Sequence, residues 1–242
     1  MKLEKDVIDY ITTAVNTAKL ATIENLVIEE GRIRGMDENQ TIVILQDENV
    51  PTLPFSSLGL LQVTLFANRL DIFFNFLREA GELNEKDTKR YSIDVEVDEE
   101  RNFVRSIVMK AGRLKIGTRC SNPAHVKAPR VIHDAIANKF QIKKSMVNAL
   151  SCSTNAMGNV DEVKFHSTND GIAFTVEDQN SEPYTYTFED NENITQFSHK
   201  YPLKLLLSLL KQNIDGEFGL GEKGMFNTIV NGFNIYVLPK AN

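Results

Sequence analysis

Long hydrophobic runs are absent from this chain of 242 residues, although 42% of its residues are hydrophobic. No stretch approaches the roughly 20 consecutive apolar residues that a membrane-spanning helix needs. The charged start MKLEKDVIDY lacks the apolar segment of a secretory signal. Cysteine is also scarce, with only Cys120 and Cys152 in the whole chain. We therefore expect a cytoplasmic globular protein whose two thiols are free, as is usual in a reducing compartment.

Motifs that carry catalytic or cofactor chemistry are lacking as well. Only Cys120, His125 and His133 place metal-ligand types close together, and their spacing matches no standard zinc pattern. The glycines at 216–224 lack the Lys-Ser/Thr pair and the helix of a phosphate-binding loop. No serine or cysteine lies in a nucleophile-elbow motif. The sequence thus predicts a protein that is not an enzyme and that binds no cofactor and no metal ion.

Hydrophobic periodicity predicts an ordered series of helices and strands in the first half of the chain. Helical spacing extends over 5–20, and a second helix is expected where Asn68 can cap its start and Gly81 can end it. The segments with strand character are 23–29, 32–36, 41–47, the apolar run 57–65, 91–98, 102–110 and 113–118.

The pattern breaks at 119–135, which contains two prolines and no sustained period. The same order then returns with helices at 141–154 and 202–213, and with strands at 160–167, 171–177, 183–189, 193–199, 216–222, 225–231 and 233–238. A structural repeat explains this order, and antiparallel strands with two helices on one face make an α+β architecture. We predict an N-terminal domain 1–118, an interdomain connector 119–135 and a C-terminal domain 136–242.

Charge is distributed unevenly along the chain. The net charge of −6 argues, taken whole, against a generic nucleic-acid binder. However, the helix windows 139–154 and 199–213 each contain three lysines and no acidic residue, whereas windows 4–20 and 68–80 are mixed. Basic helices on an acidic body can attract phosphates at one surface. The alternative is that the lysines only solvate helix surfaces, which is the simpler interpretation of any single one.

Three short motifs, in this order, resemble the sliding clamps of the proliferating cell nuclear antigen type. They are GRIRGMDENQTIVI at 31–44, the hairpin residues 170–174 with 177–178, and YVLPK at 236–240. Gln40 and Thr41 stand where that family usually has a histidine and an apolar residue, and Leu238 replaces a small residue. These departures indicate a divergent, phage-like member.

The resemblance implies a DNA-clamp fold and a head-to-tail homotrimeric ring. Such a ring would encircle double-stranded DNA without reading its sequence and would tether the replicative DNA polymerase, after a clamp loader has placed it on DNA. It implies work in DNA replication, in the nucleoid or the infected-cell cytoplasm. The helices would line the hole, so the expected DNA-binding residues are Lys139, Lys143, Lys144, Lys200, Lys204 and Lys211, with Lys5, Lys19, Arg69 and Arg78 as secondary candidates.

The resemblance also implies a pocket for partner peptides beside the connector and the C-terminal strand. Its expected residues are Met36, Val126, Pro129, Val131, Val237, Leu238 and Pro239. The alternative for Met36 is ordinary gap-filling in a core. Three other functions remain open at this point: a processivity subunit of the same fold that forms no ring, an α+β hydrolase, and a structural interaction protein without a DNA function.

Overall fold

The computed structural model describes residues 1–46, 50–79, 91–129, 131–157, 160–169, 171–177, 182–189 and 196–240. The chain divides into two compact units, Met1–Arg130 and Val131–Asn242. The division lies within the segment 119–135, for which the sequence predicts a linker.

In its described residues, the first unit contains two helices and two antiparallel sheets. One sheet has the strand order β4-β1-β2-β3, and the other has the order β5-β6-β7. Its elements are α1 (Lys5–Leu20), β1 (Asn25–Glu29), β2 (Arg32–Met36), β3 (Ile42–Gln46), β4 (Ser57–Gln62), α2 (Val63–Glu79), β5 (Tyr91–Asp98), β6 (Phe103–Ala111), β7 (Leu114–Arg119) and a 3₁₀ turn (Pro123–His125).

The two helices of this unit form because apolar side chains recur at helical spacing and can be buried together. Helix α1 buries Ile8, Ile11 and Val15, and α2 buries Phe66 and Phe73. Full burial of each such side chain contributes about 1.5–3 kcal/mol. The prediction that α2 begins after Asn68 is wrong, because the helix continues directly from β4 at Val63. The predicted end of α2 at Gly81 lies outside the described residues.

The N-terminal segment covers one edge of the β5-β6-β7 sheet. The backbone N–H of Leu3 donates to the carbonyl of Ile93 at 2.8 Å, and that of Val95 donates to Met1 at 2.7 Å. Residues 1–3 therefore act as a short additional strand beside β5.

The second unit has the same succession of elements and again two antiparallel sheets. Their strand orders are β11-β10-β9-β12 and β15-β14-β13-β8. The elements are β8 (Ile136–Gln141), α3 (Lys144–Ala156), β9 (Glu162–Thr168), β10 (Gly171–Val176), β11 (Tyr184–Glu189), β12 (Ser198–Pro202), α4 (Leu203–Gln212), β13 (Glu217–Gly221), β14 (Phe226–Val230) and β15 (Phe233–Val237).

An aromatic cluster fills the core of the second unit. Phe165 lies within 6.2 Å, between ring centroids, of Phe174, Phe188, Tyr201 and Phe218, and all five side chains are buried. Aromatic pairs of this kind stabilise the fold by about 0.5–1.5 kcal/mol each, beyond the contribution from burying their apolar surface. The strands that carry these rings are therefore strongly fixed in register.

Strand β8 is a regular element of the second unit that the sequence pattern missed. The sequence pattern assigns 136–138 to no element and 139–141 to the window of the following helix, but Phe140 pairs with Phe218 of β13. This strand lies beside β13 as residues 1–3 lie beside β5, so the two units match in this detail as well. The predicted α+β class, with two similar halves, agrees with the observed elements.

Candidate functional site

Helices α3 and α4 present lysines and no acidic side chain. Lys144 and Lys211 are exposed, and Lys143 occupies the N-cap position of α3. Lys204 is also exposed and lies 3.7 Å from Asp161, in an ion pair whose two side chains are 79% and 78% accessible. An ion pair this exposed contributes little, about 0–1 kcal/mol. The charges of Lys144, Lys204 and Lys211 are therefore available to an external anion.

Three of these lysines lie at helix N-termini, where the backbone already has a partial positive charge. Lys143 and Lys144 begin α3 and Lys204 is the second residue of α4, and neither helix has an acidic residue in its first turn. A cation in this position is unfavourable by about 0.3–1 kcal/mol, whereas an anion is attracted. The arrangement reduces the stability of the helices slightly and concentrates positive potential at their ends.

The helices of the first unit are different. Lys5 is exposed but has acidic neighbours, and Lys19 lies 3.8 Å from Asp71 on α2. Arg69 donates hydrogen bonds to the carbonyl of Gly117 and, at 3.1 Å, to Thr118 Oγ1 in β7. Arg78 is exposed near the end of α2. Of the secondary candidates, Lys19 and Arg69 are thus held by partners within their own unit.

Two of the predicted DNA-binding lysines lie on strands and not on helices. Lys139 belongs to β8, opposite Gly219, and Lys200 belongs to β12, opposite Lys164. Tyr201, the next residue on β12, is buried, so Lys200 lies on the opposite face of the strand. The Nζ of Lys200 is 3.6 Å from Oε2 of Glu162. A hydrogen bond from Lys240 lowers the pKa of Glu162, burial opposes this shift, and the ammonium of Lys200 acts in the same direction as Lys240. The expectation that helices carry Lys139 and Lys200 is wrong.

Helix α2 has an apolar stripe on its exposed side. Leu65, Ile72 and Phe76 are 40%, 57% and 39% exposed and follow one another at helical spacing. These apolar side chains have no group that could bind a phosphate, but an exposed apolar stripe is suited to contact with another protein surface. The sequence pattern showed that the helix is apolar but not that part of its apolar surface stays exposed.

A cavity of about 250 Å³ lies within the first unit, between the β4-β1-β2 strands and the connector. Its apolar lining comes from Met36, Leu60, Val126 and Ala128, and its polar lining comes from Asn25, Asp37, Glu38, Gln40, His125 and Lys127. Apolar groups rimmed by polar groups are typical of a surface that binds another protein or a peptide.

The turn beside this cavity is shaped by a buried carboxylate. Asp37 accepts hydrogen bonds from the backbone N–H groups of Thr41 and Ile42 at 2.7 and 2.6 Å, and from Thr41 Oγ1 at 2.9 Å. Gln40 has a φ of 59°, which this tight turn requires. Asp37 is therefore used to hold the turn that follows Met36, and its oxygens are already satisfied.

The structure brings together two of the predicted pocket residues, Met36 and Val126. Pro129 is half-buried and lies just beyond the lining residue Ala128. The remaining predictions lie in the second unit, where Val237 is buried, Pro239 is half-buried, and Val131 and Leu238 are exposed. Sequence reasoning missed Leu60, His125, Lys127 and Ala128. The apolar run at 57–65 was a signal for Leu60, whereas nothing in the sequence marked the other three.

Both cysteines are free, as predicted. Burial raises the pKa of the Cys120 thiol to about 12, so this group stays protonated at neutral pH. Cys152 is exposed on α3. Within the described residues, no group of three or more His, Cys, Asp or Glu side chains could hold a metal ion. No helix in the described part of the chain is long and apolar enough to cross a membrane.

Solved structures with the same arrangement define the class of fold. Proliferating cell nuclear antigen from Entamoeba histolytica superposes with a TM-score of 0.58 and 12% identity, over 96% of this chain and 95% of that chain. The A. fulgidus protein of the same name, bound to the C-terminal region of FEN-1, gives a TM-score of 0.58 and 13% identity, over 97% and 96%. DNA polymerase III beta from Caulobacter crescentus gives a TM-score of 0.68 and 12% identity, over 100% of this chain and 66% of that chain.

The fold is therefore that of the sliding clamps, and the predicted DNA-clamp fold is confirmed. The chain spans nearly the whole of the Entamoeba clamp and about two thirds of the Caulobacter one. No family model and no curated protein matches this chain by sequence. At 12–13% identity the structural likeness establishes the fold, and the function has to be argued from the site.

Proposed function

We propose that this protein is a sliding clamp, which encircles duplex DNA and tethers a DNA polymerase and other partners to it. The observation that carries the proposal is the placement of positive charge. Lys143, Lys144 and Lys204 lie at helix N-termini, with no acid in the first turn of either helix. Lysines that slightly destabilise their own helices are best explained by a polyanionic ligand.

Contact with phosphates would hold DNA without reading it. Lysine ammonium groups on flexible stems bind phosphate as point charges and carry no information about base sequence. A few such contacts leave the protein free to slide along the duplex. A polymerase bound to the clamp would gain through effective concentration at the primer end, with no change in its own chemistry.

Closure of a ring is supported by an outer sheet strand in each unit, β7 in the first and β11 in the second. In the first unit, the edge at β5 is covered by residues 1–3, whereas β7 is the outer strand at the other edge. In the second unit, β12 receives a backbone hydrogen bond from Lys240, whereas β11 is the outer strand at the other edge. Pairing of β7 with β11 of a second copy would protect both edges.

The apolar stripe of α2, formed by Leu65, Ile72 and Phe76, belongs to the same proposed interface. Arg69 of α2 donates hydrogen bonds to β7, so the helix that carries the stripe is bonded to the outer strand of the sheet. A head-to-tail contact that uses two different surfaces closes into a ring when the rotation fits. Three copies of a two-domain chain would make a ring of six domains, which a clamp loader would have to open around DNA.

The test of DNA binding is a triple charge reversal, Lys144→Glu, Lys204→Glu and Lys211→Glu. We expect its affinity for a short fluorescein-labelled duplex at low salt to fall by more than tenfold. Because each lost phosphate contact removes about 0.9 from the slope of log K against log salt, the salt dependence should become shallower as well.

The matched control reverses Lys127, Lys164 and Lys223, which lie on the connector, a strand and a turn. This variant has the same net charge as the triple variant of the helices, so any general repulsion of DNA is equal in the two. Its affinity for the duplex should nevertheless stay within about twofold of wild type. Equal losses in the two variants would mean that the helices are not the DNA surface, and the proposal would fail.

A further inference from the structure

The connector crosses one face of the β4-β1-β2 strands as a strap that is fixed at its first end. Ser121 and Leu60 exchange two backbone hydrogen bonds of 2.9 and 3.0 Å. The strap then makes a 3₁₀ turn, which Asn122 caps by accepting a hydrogen bond from the N–H of Ala124 at 2.9 Å. His125, which ends this turn, lines the cavity, and the lining residues Val126, Lys127 and Ala128 follow directly after it.

The second end of the strap is fixed by a buried arginine. Arg34 of β2 is 7% exposed, and its Nη1 donates to the carbonyl of Ala128 at 3.3 Å. Its Nε and Nη2 donate to the two carboxylate oxygens of Glu29 at 3.1 and 3.0 Å. The guanidinium thus binds a carboxylate with one side and the connector backbone with the other.

The burial of the Arg34 guanidinium is not explained by a gain in the stability of the fold. A buried ion pair usually contributes less than a well-packed apolar pair of the same volume, because two ions lose their hydration. An arginine is suited to this place because its rigid fork can donate in two directions at once, which a lysine ammonium does less well. Arg34 and Met36 are two residues apart on one strand, so they share a face of the sheet.

We propose that Arg34 is a positioning residue for the connector pocket. Arg34 bonds both Glu29 and the carbonyl of Ala128. It thereby holds the strap 121–128 in the position in which Val126 and Lys127 line the cavity. The occupant of the cavity, a short partner peptide, rests on the proposed function. The fixing of the strap does not depend on what the occupant is.

The first test is hydrogen–deuterium exchange in the full-length protein. In Arg34→Gln, the amides of residues 122–128 should exchange about tenfold faster or more, because a charge-assisted bond has been lost. Because this change leaves the half-buried Glu29 without its partner, a second variant removes both charges, Arg34→Met with Glu29→Gln. It should show the same local effect while the strand amides keep their protection.

The control is Arg32→Gln, two residues earlier on the same strand. Exchange in 122–128 should stay at the wild-type rate in this variant, because the hydrogen bond from Arg34 to the carbonyl of Ala128 is kept. Unchanged exchange of 122–128 in both Arg34 variants would overturn the proposal. An increase that extends equally over all the strands in the double variant would do so as well, because it would show a general structural role.

The second readout is binding of a peptide selected on the wild-type protein from a random display library. We choose a peptide whose binding is lost in Met36→Glu, which places it in the pocket. Its dissociation constant should rise about tenfold in the double variant and stay unchanged in Arg32→Gln. If no selected peptide responds to Met36→Glu, the proposed peptide site fails, whereas the exchange result still decides the role of Arg34.

Discussion

At the scale of single residues, the motif at 31–44 shows how much of the site the sequence could predict. Alternation along a strand predicts that Arg34 and Met36 share one face. It does not predict what covers that face, so the burial of Arg34 under the connector could not be foreseen. The role of Asp37 is local, since it bonds residues four and five positions ahead. Roles that depend on distant chain segments were the ones missed.

Gly35, in the same motif, is expected to tolerate no side chain. A Cβ there would lie 2.7 Å from the carbonyl oxygen of Asn25 and 3.0 Å from Ile44 Cγ2. Because backbone cannot move aside cheaply, Gly35→Ala should lower the free energy of unfolding by about 1–3 kcal/mol, as measured in urea.

The matched control for this prediction is Gly117→Ala on β7. A Cβ at that position has its nearest neighbour at 3.9 Å, so the free energy of unfolding should change by less than about 0.5 kcal/mol. Equal stability of the two variants would show that the packing around Gly35 is looser than described.

At the scale of elements, the errors have a common physical cause. Strand β4 passes into α2 at Val63 without an intervening turn, so no glycine, proline or capping residue marks the boundary. Strand β8 is short, runs into the window predicted for the following helix, and is stabilised by pairing with β13, which is distant in sequence. Elements with strong periodicity, such as α1 over Lys5–Leu20, agree with the prediction at both ends.

The β13–β14 hairpin offers a prediction about pH. Its turn is held by Asp134, which accepts hydrogen bonds from the N–H groups of Lys223 and Met225, each at 3.1 Å. Tyr201 donates to the carbonyl of Gly224 at 2.6 Å, and the ring of His199 packs against Gly224. Burial lowers the pKa of His199, and the charge of Asp134 opposes this shift.

Because its folded-state pKa is the lower one, His199 takes up a proton more readily in the unfolded chain. The unfolded state therefore binds more protons as pH falls through about 6.5, and stability decreases in that direction. The melting temperature should decline between pH 7.5 and pH 5 more steeply in wild type than in His199→Gln, by calorimetry. Parallel curves for the two proteins would contradict this assignment.

At the scale of the whole molecule, the proposed ring predicts an assembly of three chains. Each chain has a mass of 27.3 kDa, so native mass spectrometry should find a species of three times that mass. Ile72→Glu places a charge in the apolar stripe of α2, where it would have to be buried without a partner, and should shift the population to single chains.

Ile229→Glu is the matched control for this change. Its side chain is 50% exposed on β14, close to the 57% of Ile72, and it lies outside the proposed interface. This variant should keep the mass of wild type. A wild-type protein that remains a single chain even with duplex DNA present would favour the alternative of an open processivity subunit.

The position of Cys152 has a practical consequence. The side chain is exposed on α3, on the same helix as Lys144, whereas the second thiol is buried at Cys120. A maleimide dye would therefore attach to the unmodified protein at one position, because only an accessible thiolate reacts readily. Fluorescence from that dye would follow individual molecules in motion without any engineered tag.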